Sequence, residues 1–215
     1  EAIDKRIADE QAIISEQSAK VKSKFVEMFG NAEINDRNWQ KASLRSIAIE
    51  DLSYGSGEAS SPYDNKIRYI RITDIDQYGN LNNDKMSASF VEDKYMLHEG
   101  DILFARSGAT VGKTYLYHEK DGKCLYAGYL IRLIPNTTKV TPEYVFYFTK
   151  TSYYEKFVAD ASLGNTAQAN INAQQYSDLQ IMLPPLALQE NFSVYAQSCD
   201  KLKFETHSYQ QSHKE

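Results

Sequence analysis

A glycine-rich run followed by a lysine is the part of the sequence whose spacing comes nearest to a known chemistry. Residues 108 to 114 are GATVGKT, and a phosphate-binding loop ends in the same Gly-Lys-Thr. That loop also needs a glycine where this chain has Ser107, and a helix must begin at the lysine so that backbone amides can cradle phosphate. After Lys113 the chain continues Thr-Tyr-Leu-Tyr, which is typical of a strand. The sequence therefore argues against nucleotide hydrolysis here.

The same run predicts a hairpin that presents polar side chains. Residues 102 to 104 (ILF) are a short apolar run bounded by turn residues, as expected for a buried strand. The glycines that follow then lie between two strands rather than at the start of a helix. We expect them to form a turn that projects Arg106, Thr110 and Lys113.

Other arrangements that could support catalysis or bind a metal are weak. Ser107, His98 and Asp101 are close in sequence, but proximity does not supply the geometry of a nucleophile, a base and an orienting acid. The four histidines have no metal-ligand spacing. Cys124 and Cys199 form neither a disulfide framework nor a metal pair, so we expect two packing residues in a reducing cytoplasm.

Composition and charge are those of an ordinary globular domain. The 215 residues are 42% hydrophobic, which is enough for a core. No apolar run approaches the ~20 residues of a membrane span, and the start has no signal-peptide pattern. The net charge of -5 argues weakly against nucleic-acid binding. The central stretch nevertheless interleaves cations with tyrosines: Lys66, Arg68, Arg71, Arg106 and Lys113 with Tyr54, Tyr63, Tyr69 and Tyr78.

Helical patterns begin and end the chain. In residues 2 to 29 apolar side chains recur at intervals of four and seven, and Gly30 is a natural stop. The stripe is narrow, which suits a coiled-coil seam rather than a globular core; a surface helix packed on its own domain is the alternative. A second helix is predicted from Phe192 to about His207. If the two helices pair, they are antiparallel neighbours.

The residues between these helices alternate as strands do. Residues 67 to 75 (IRYIRITDI) predict one strand, with Arg68, Arg71 and Thr73 on its outward face. A further helix is expected after Thr141, with an apolar face that extends to Phe157. Further strand character is found at residues 86 to 91, 124 to 135 and 179 to 183.

The fold class predicted from these elements is α+β. A mixed, β-rich body lies between two long helices, which we expect to form an antiparallel coiled-coil stalk. A body at the end of a helical stalk is better suited to positioning a binding surface than to forming a catalytic pocket. Because the sequence starts at Glu1 without a methionine and already in a helical pattern, we expect a fragment of something longer.

A series of short motifs follows the chain in a set order. The motifs are Trp39 with Leu44 and Ile47, the Tyr54-Gly55 turn, residues 69 to 75 (YIRITDI), 100 to 103 (GDIL), 105 to 108 (ARSG), 111 to 113 (VGK), 170 to 172 (NIN) and 183 to 186 (LPPL), with Gln189 and Phe192. Each motif is weak alone, but the ordered set resembles the DNA specificity subunit of type I restriction-modification systems across nearly the whole chain.

The resemblance implies a division of the chain. A full family member is similar to two units in tandem, each a target recognition domain followed by a conserved helix. Residues 1–30 are similar to the spacer helix that would follow a first domain, residues 31–183 to a target recognition domain, and residues 184–215 to its C-terminal helix. The missing first domain leaves three alternatives open: a fragment, a half-sized subunit that dimerises as a homodimer, or a truncated product.

The resemblance also implies a function without catalysis. The domain would recognise one half of a bipartite target in double-stranded DNA, while the helices set the distance to the other half and dock the modification (methyltransferase) subunits, and restriction subunits indirectly. No cofactor is then expected on this chain, because S-adenosylmethionine and ATP would bind the partner subunits. The alternative is a dimerising coiled-coil scaffold domain that does not bind DNA. The target bases cannot be derived from the sequence.

Recognition of DNA bases requires polar side chains that can reach the base edges. The candidate residues are therefore polar residues on loops and on outward strand faces. Arginine can bind guanine through two hydrogen bonds, and asparagine or glutamine can bind adenine. Lys66 and Lys113 we assign to phosphate. Each candidate has a structural alternative, such as a surface ion pair of Arg71 with Asp74, or hydroxyl and amide groups that only complete turns. The candidates are Tyr54, Ser56, Ser60, Lys66, Arg71, Thr73, Arg106, Ser107, Thr110, Lys113, Asn165, Thr166, Gln168 and Asn170.

Overall fold

Short strands alternate with helices along the chain. The computed structural model describes residues 2–162 and 169–212, with side chains for 11–162 and 169–200. The helices are α1 (Ala2–Phe29), α2 (Leu44–Ile47), α3 (Pro142–Phe148), α4 (Ser152–Ser162), α5 (Ala173–Asp178) and α6 (Leu186–Ser212). The strands are β1 (Gln40–Ser43), β2 (Ser53–Tyr54), β3 (Ser60–Pro62), β4 (Arg68–Ile70), β5 (Met86–Ala88), β6 (Ile102–Ala105), β7 (Thr114–Leu116), β8 (Cys124–Tyr126), β9 (Leu130–Leu133) and β10 (Gln180–Leu183). The mixed α+β class is therefore as predicted.

A four-stranded antiparallel sheet lies at the centre of the body, in the order β2, β9, β6, β7. Ile102 of β6 pairs with Leu133 on one side and with Leu116 on the other. Three further strand pairs lie around it: β1 with β10 and β3 with β5 are antiparallel, and β4 with β8 is parallel. The β1–β10 pair places the first and last strands of the body side by side.

The predicted hairpin is present at the centre of this sheet. β6 and β7 pair antiparallel, and the glycine-rich residues between them form a single 3-10 turn, Gly108–Thr110. Gly112 has a φ of +83°, a conformation that side chains with a Cβ rarely adopt. Lys113 is followed directly by β7 and not by a helix, so the structural condition for a phosphate loop is missing, as the sequence indicated.

Both faces of this sheet are covered, as the period of two along a strand requires. Ile102 and Phe104 face the main core, whereas Leu103 and Ala105 face a second cluster. The main core is contributed largely by the helices and contains many aromatic residues, among them Phe25, Tyr144 and Phe192. Aromatic side chains bury large apolar areas and pack against one another with defined geometry.

The C-terminal part of α1 belongs to the main core, which corrects the expectation of a seam kept apart from a globular core. Phe25 and Phe29 are 1% and 0% exposed. The Phe25 ring lies 5.4 Å from the rings of Tyr144 and Phe192. The α1 helix ends at Gly30, whose amide donates to the Val26 carbonyl at a φ of +82°.

The single strand predicted for residues 67 to 75 is wrong in its length and orientation. The strand ends at Ile70, and Ile72–Asp74 form a 3-10 turn. Arg68, predicted to face outward, is 6% exposed because β4 pairs in parallel with β8 and its side chain donates to the carbonyl of Asn82. Alternation predicted a strand with one solvated face, but neighbours cover both faces of β4.

Two other segments are divided where the sequence predicted one element. Residues 124–135 form β8 and β9, which belong to different sheets and are separated by a turn at residues 127–129. The helix predicted after Thr141 is α3 followed by α4, with a break at residues 149–151. The α5 helix was not predicted, although Asn172 and Gln175 form a capping box at its start.

Candidate nucleic-acid interface

The site is built around Arg106, the residue that follows β6. Its amide donates to the Tyr129 carbonyl (3.1 Å), and its own carbonyl accepts from the Ile171 amide (2.8 Å). One residue earlier, the Ala105 carbonyl accepts from the Tyr176 hydroxyl at 3.2 Å. Burial raises the pKa of Tyr176, so this hydroxyl remains a donor. The backbone at Arg106 is therefore fixed from three directions.

The Arg106 side chain lies on the ring of Tyr54, a residue distant in sequence. Its guanidinium carbon is 4.8 Å from the ring centroid, within the range of a cation–π contact. Tyr54 is 42% exposed and its hydroxyl accepts from the Ala173 amide at 3.0 Å. The ring is thus held at one edge by β2 and at the other by the first residue of α5.

A close approach of two glycine-containing turns brings Tyr54 beside a second exposed tyrosine, Tyr129. The Gly55 amide donates to the Leu130 carbonyl at 3.2 Å, and the Gly128 amide donates to the Ser56 carbonyl at 2.6 Å. A Cβ at Gly55 would collide with the carbonyl oxygens of residues 126 and 127. Tyr129 is 61% exposed. Of these two exposed tyrosines, Tyr54 contacts Arg106 through its ring and Tyr129 through its backbone carbonyl.

Residues 162 to 172 (SLGNTAQANIN) are rich in amide side chains and are called the amide-rich loop. The described end of this loop also packs at the site. Ser107 and Asn170 form an antiparallel bridge, and the Gly108 amide donates to the Ala169 carbonyl at 3.0 Å. Ser107 is 9% exposed, and Asn170 is half-buried. The predicted contacts Asn165, Thr166 and Gln168 lie outside the described residues.

Arg106 differs from the other arginines in its hydrogen bonding. Its Nε is buried without a hydrogen-bond partner, as are the Nε atoms of Arg68 and Arg132, but within residues 11–162 and 169–200 its two terminal nitrogens also have no acceptor. A guanidinium without an acceptor keeps its donors for a ligand. The other arginines with described side chains all have acceptors: Arg37 the Glu27 carbonyl, Arg45 Gln174, Arg68 Asn82, Arg71 Asp74 and Asp84, and Arg132 the Met96 carbonyl.

Buried polar contacts stiffen the sheet behind the site. Arg132 of β9 lies 3.0 Å from Asp101, and both side chains are buried. Burial raises the pKa of Asp101, and the His98 amide and the Arg132 cation oppose that rise. Tyr69 donates its hydroxyl to the Ser56 carbonyl at 2.8 Å, and burial likewise raises the pKa of Tyr69. These contacts hold the strand ends from which the exposed residues project.

The arrangement suits recognition of a flat, polar ligand edge rather than covalent chemistry. Arg106 offers fixed donors, and Tyr54 and Tyr129 offer aromatic surface. His98 lies 4.0 Å from Asp101, but in the described part of the chain no hydrogen bond joins it to Ser107. No group of three or more His, Cys, Asp or Glu side chains in that part could hold a metal ion.

Comparison with known proteins connects this site to a family. The family model for the type I restriction modification DNA specificity domain matches residues 37–211, which include the whole body. The chain belongs to this family. The matched span contains Arg106, which is half-buried, and the exposed residues Tyr54 and Tyr129.

Individual relatives agree with this assignment. A putative type I restriction enzyme MjaX specificity subunit from Methanocaldococcus jannaschii is 30% identical over 190 residues, which are 82% of this chain and 43% of that protein. Two solved structures share the fold. The HsdS subunit of Thermoanaerobacter tengcongensis has a TM-score of 0.58 and 16% identity, over 97% of this chain and 49% of that one. A type I restriction-modification S subunit from M. genitalium has a TM-score of 0.63 and 12% identity, over 98% of this chain and 54% of that one. The chain spans about half the length of these relatives.

Arg71 and Thr73 of the specificity domain do not lie on an outward strand face, which corrects the prediction. Arg71 begins the 3-10 turn and is bound to Asp74, with Nη2–Oδ1 2.6 Å and Nε–Oδ1 3.1 Å, and to Asp84 at 2.9 Å. Asp74 is buried, so this is more than the surface pair considered as the alternative. Thr73 is exposed within the turn.

Lys113 and Thr110 both donate hydrogen bonds to backbone carbonyls of the chain. The Lys113 ammonium donates to the Ile75 carbonyl at 3.0 Å, and the Thr110 hydroxyl donates to the Ser107 carbonyl at 3.1 Å. Lys113 lines a cavity of about 250 Å³ together with Lys22 of α1 and Lys150. Tyr54 and Arg106 do not line this cavity, so it is distinct from the aromatic site.

The remaining predicted residues of the specificity domain are divided between core and surface. Ser56 is 1% exposed, and its hydroxyl accepts from the Glu58 amide at 3.2 Å, so it presents no surface in this conformation. Ser60 and Lys66 are exposed, but they lie on and after β3, beside β5 rather than β6. The structure therefore brings together Tyr54, Arg106, Ser107 and Asn170.

Tyr129 was missed by the sequence analysis, although a signal was available. It follows Gly128 inside a run that was predicted as one strand, and an isolated glycine in a strand pattern marks a bulge or a close backbone approach. Among the residues that the structure describes, no helix is long and apolar enough to span a membrane.

Proposed function

We propose that this chain recognises DNA sequence as part of a type I restriction-modification complex. Its body binds one half of a bipartite target in double-stranded DNA. The observation that supports this best is Arg106, fixed in backbone and side chain, without an acceptor in the described part of the chain, and flanked by the exposed Tyr54 and Tyr129. Such a group can reach base edges in the major groove.

The site residues are proposed in two groups. Tyr54, Arg106, Ser107, Asn170 and Tyr129 form the group that contacts bases or the sugar-phosphate chain near them. Lys66, Ser60 and Thr73 are exposed elsewhere on the body and are proposed as backbone contacts, which position a protein on DNA without specifying sequence. Three residues of the amide-rich loop are also proposed to contact DNA: Asn165, Thr166 and Gln168.

The two long helices are proposed to set distance and to dock partners. The α1 and α6 helices are in contact, since the Phe25 ring lies 5.4 Å from the Phe192 ring and the Lys24 ammonium 5.9 Å from the Tyr195 ring. These contacts support an antiparallel arrangement. We assign residues 1–30 as the spacer helix, 31–183 as the target recognition domain and 184–215 as the conserved C-terminal helix. Beyond their contact with the body, the helices act as an antiparallel stalk that holds modification subunits and, through them, restriction subunits.

In this scheme the chain contributes no catalytic group. Methyl transfer from S-adenosylmethionine and ATP-driven steps belong to partner subunits, and recognition takes place in the cytoplasm, where DNA is accessible. A bipartite target needs a second recognition unit, supplied by a second copy of the chain or by a longer polypeptide; light scattering of the purified chain distinguishes the two.

Selection from a random duplex library tests the proposal. The chain, assembled with its modification subunits, is incubated with the library at moderate salt, and the bound DNA is sequenced. We expect one conserved half-site. Assembly without any sequence preference would favour the scaffold function instead. The modification subunits are included because the net charge of -5 predicts weak affinity of the chain alone for duplex DNA.

A further inference from the structure

We infer that Arg106 specifies a guanine and that Tyr54 is the residue that positions it. This inference rests on the proposed function, because it assigns a base to the site already described. It concerns the donors of one side chain and the aromatic surface beneath them.

The first step concerns the donors of Arg106. A guanidinium presents a planar fork of donors that matches the O6 and N7 acceptors of guanine. At Arg106 no acceptor among the described residues occupies that fork. By contrast, the fork of Arg71 is filled by the Asp74 and Asp84 carboxylates. Arg106 therefore retains the donor set that two-point recognition of guanine requires.

The second step concerns orientation. Arginine has several rotatable bonds, and ordering them on binding costs free energy. Here the guanidinium already lies on the Tyr54 ring at 4.8 Å, and the backbone on either side is hydrogen-bonded to Tyr129 and Ile171. Because Nε is buried and the two terminal nitrogens are not among the buried unpartnered atoms, contact with the ring leaves the edge formed by the terminal nitrogens available. Preorganisation of this kind favours a directional contact to a base over a diffuse contact to phosphate.

The third step concerns Tyr54 itself. Its hydroxyl accepts from the Ala173 amide (3.0 Å), so the hydroxyl is already engaged at α5. The ring then acts through Arg106 rather than on DNA through its hydroxyl. Removal of the aromatic ring should affect the same base pair as removal of Arg106, whereas removal of the hydroxyl alone should not.

The experiment uses the half-site selected by the wild-type assembly. Each guanine in it is replaced in turn by 7-deazaguanine, which keeps base pairing but lacks N7. For the wild type we expect one position at which this replacement weakens binding by about tenfold or more. For R106A we expect the replacement at that position to have no effect, and R106K should weaken the preference, because an ammonium lacks the planar fork of donors that a guanidinium has.

Tyr54 is tested in the same assay. Y54F should keep the guanine preference, Y54L should lose it at the same position, and the double variant R106A/Y54L should be no weaker in preference than R106A alone. K66A is the matched control. Loss of a phosphate contact should weaken binding to all sequences uniformly and lower the slope of the salt dependence by about 1. Thermal melting verifies that each variant is folded.

The outcomes separate the inference from the proposed function. A wild-type assembly without sequence preference overturns both. In a second case the wild type selects a clear half-site, while R106A either weakens binding to every sequence equally or keeps the preference for every guanine. Either result overturns the inference alone and leaves DNA recognition intact. Y54L with an unchanged guanine preference would remove the positioning role.

Discussion

Two arginines in this chain show how the surroundings of a side chain decide its use. Arg71 is bound to a buried carboxylate and an exposed one, whereas Arg106 lies on an aromatic ring without an acceptor in the described residues. The same residue type is structural at the first position and available for a ligand at the second. Sequence alone presented both as candidates.

Replacement of Arg71 by alanine should lower stability rather than specificity. It leaves the Asp74 carboxylate buried without its cation, and we expect a loss of about 2 kcal/mol, below the ~3–5 kcal/mol of fully buried pairs because Arg71 is partly exposed. Urea denaturation measures the loss. The exposed K66A serves as control, with an expected change within about 0.5 kcal/mol. An altered half-site with unchanged stability would return Arg71 to the group of recognition residues.

The Cys124 thiol should be protected from alkylation in the folded protein. Burial raises the pKa of Cys124 to about 12, so the reactive thiolate is nearly absent at pH 8. We expect iodoacetamide at pH 8 to leave Cys124 unmodified in buffer and to modify it in guanidinium chloride, as read by peptide mass spectrometry. Rapid modification in buffer would contradict the buried position of this thiol.

At the scale of elements, the site depends on one close backbone approach. The turn after β2 and the turn before β9 contact each other through Gly55 and Gly128, and this contact determines where Tyr54 and Tyr129 lie. A side chain at Gly55 would separate the turns. The aromatic surface of the site is therefore a property of two turns together.

Replacement of Gly55 by alanine should destabilise the chain and impair recognition. The new Cβ meets the carbonyl oxygens of Tyr126 and Ala127, and we expect a cost of about 2 kcal/mol from overpacking. Gly57 is the matched control, because a Cβ there meets nothing within 4 Å. Denaturation and half-site binding are measured for both variants. Equal behaviour of G55A and G57A would show that the approach is not tight in solution.

Local patterns were enough to predict some elements and not others. The β6–β7 hairpin was predictable because its strands, glycines and pairing are contiguous. The short β4 strand was not, because its parallel partner β8 lies far along the chain and because separate apolar clusters cover its two faces, with Ile70 in one and Tyr69 in the other. The division of β8 from β9 depends in the same way on which sheet each strand joins.

The whole molecule is united by an aromatic core in which α1 takes part. Phe25 contacts Phe29, Tyr144, Phe148 and Phe192, with ring separations of 4.8 to 6.4 Å. The heptad-like stripe in the sequence indicated the helix correctly but not what its C-terminal half packs against, because an apolar face does not specify its partner. The site shows the same limit, since Tyr54 and Arg106 meet only in the folded chain.

Replacement of Phe25 by alanine should therefore destabilise the body and not only the helix. We expect a loss of about 3–5 kcal/mol, as for a large aromatic residue removed from a core. Val26 is the neighbouring control; it is 52% exposed, and V26A should change stability by about 0.5 kcal/mol or less. Chemical denaturation followed by tyrosine fluorescence compares them. A small effect of F25A would mean that α1 is not docked in solution.

The pairing of β1 with β10 has a consequence for protein engineering. Residues Ala42 and Ile181 are register partners, so the chain enters and leaves the body about 5 Å apart. A gene segment coding for the residues between these strands can therefore be exchanged as a cassette without changing the separation of the two junctions. The transplanted segment must keep aromatic residues equivalent to Tyr144 and Phe148, because their rings contact the ring of Phe25.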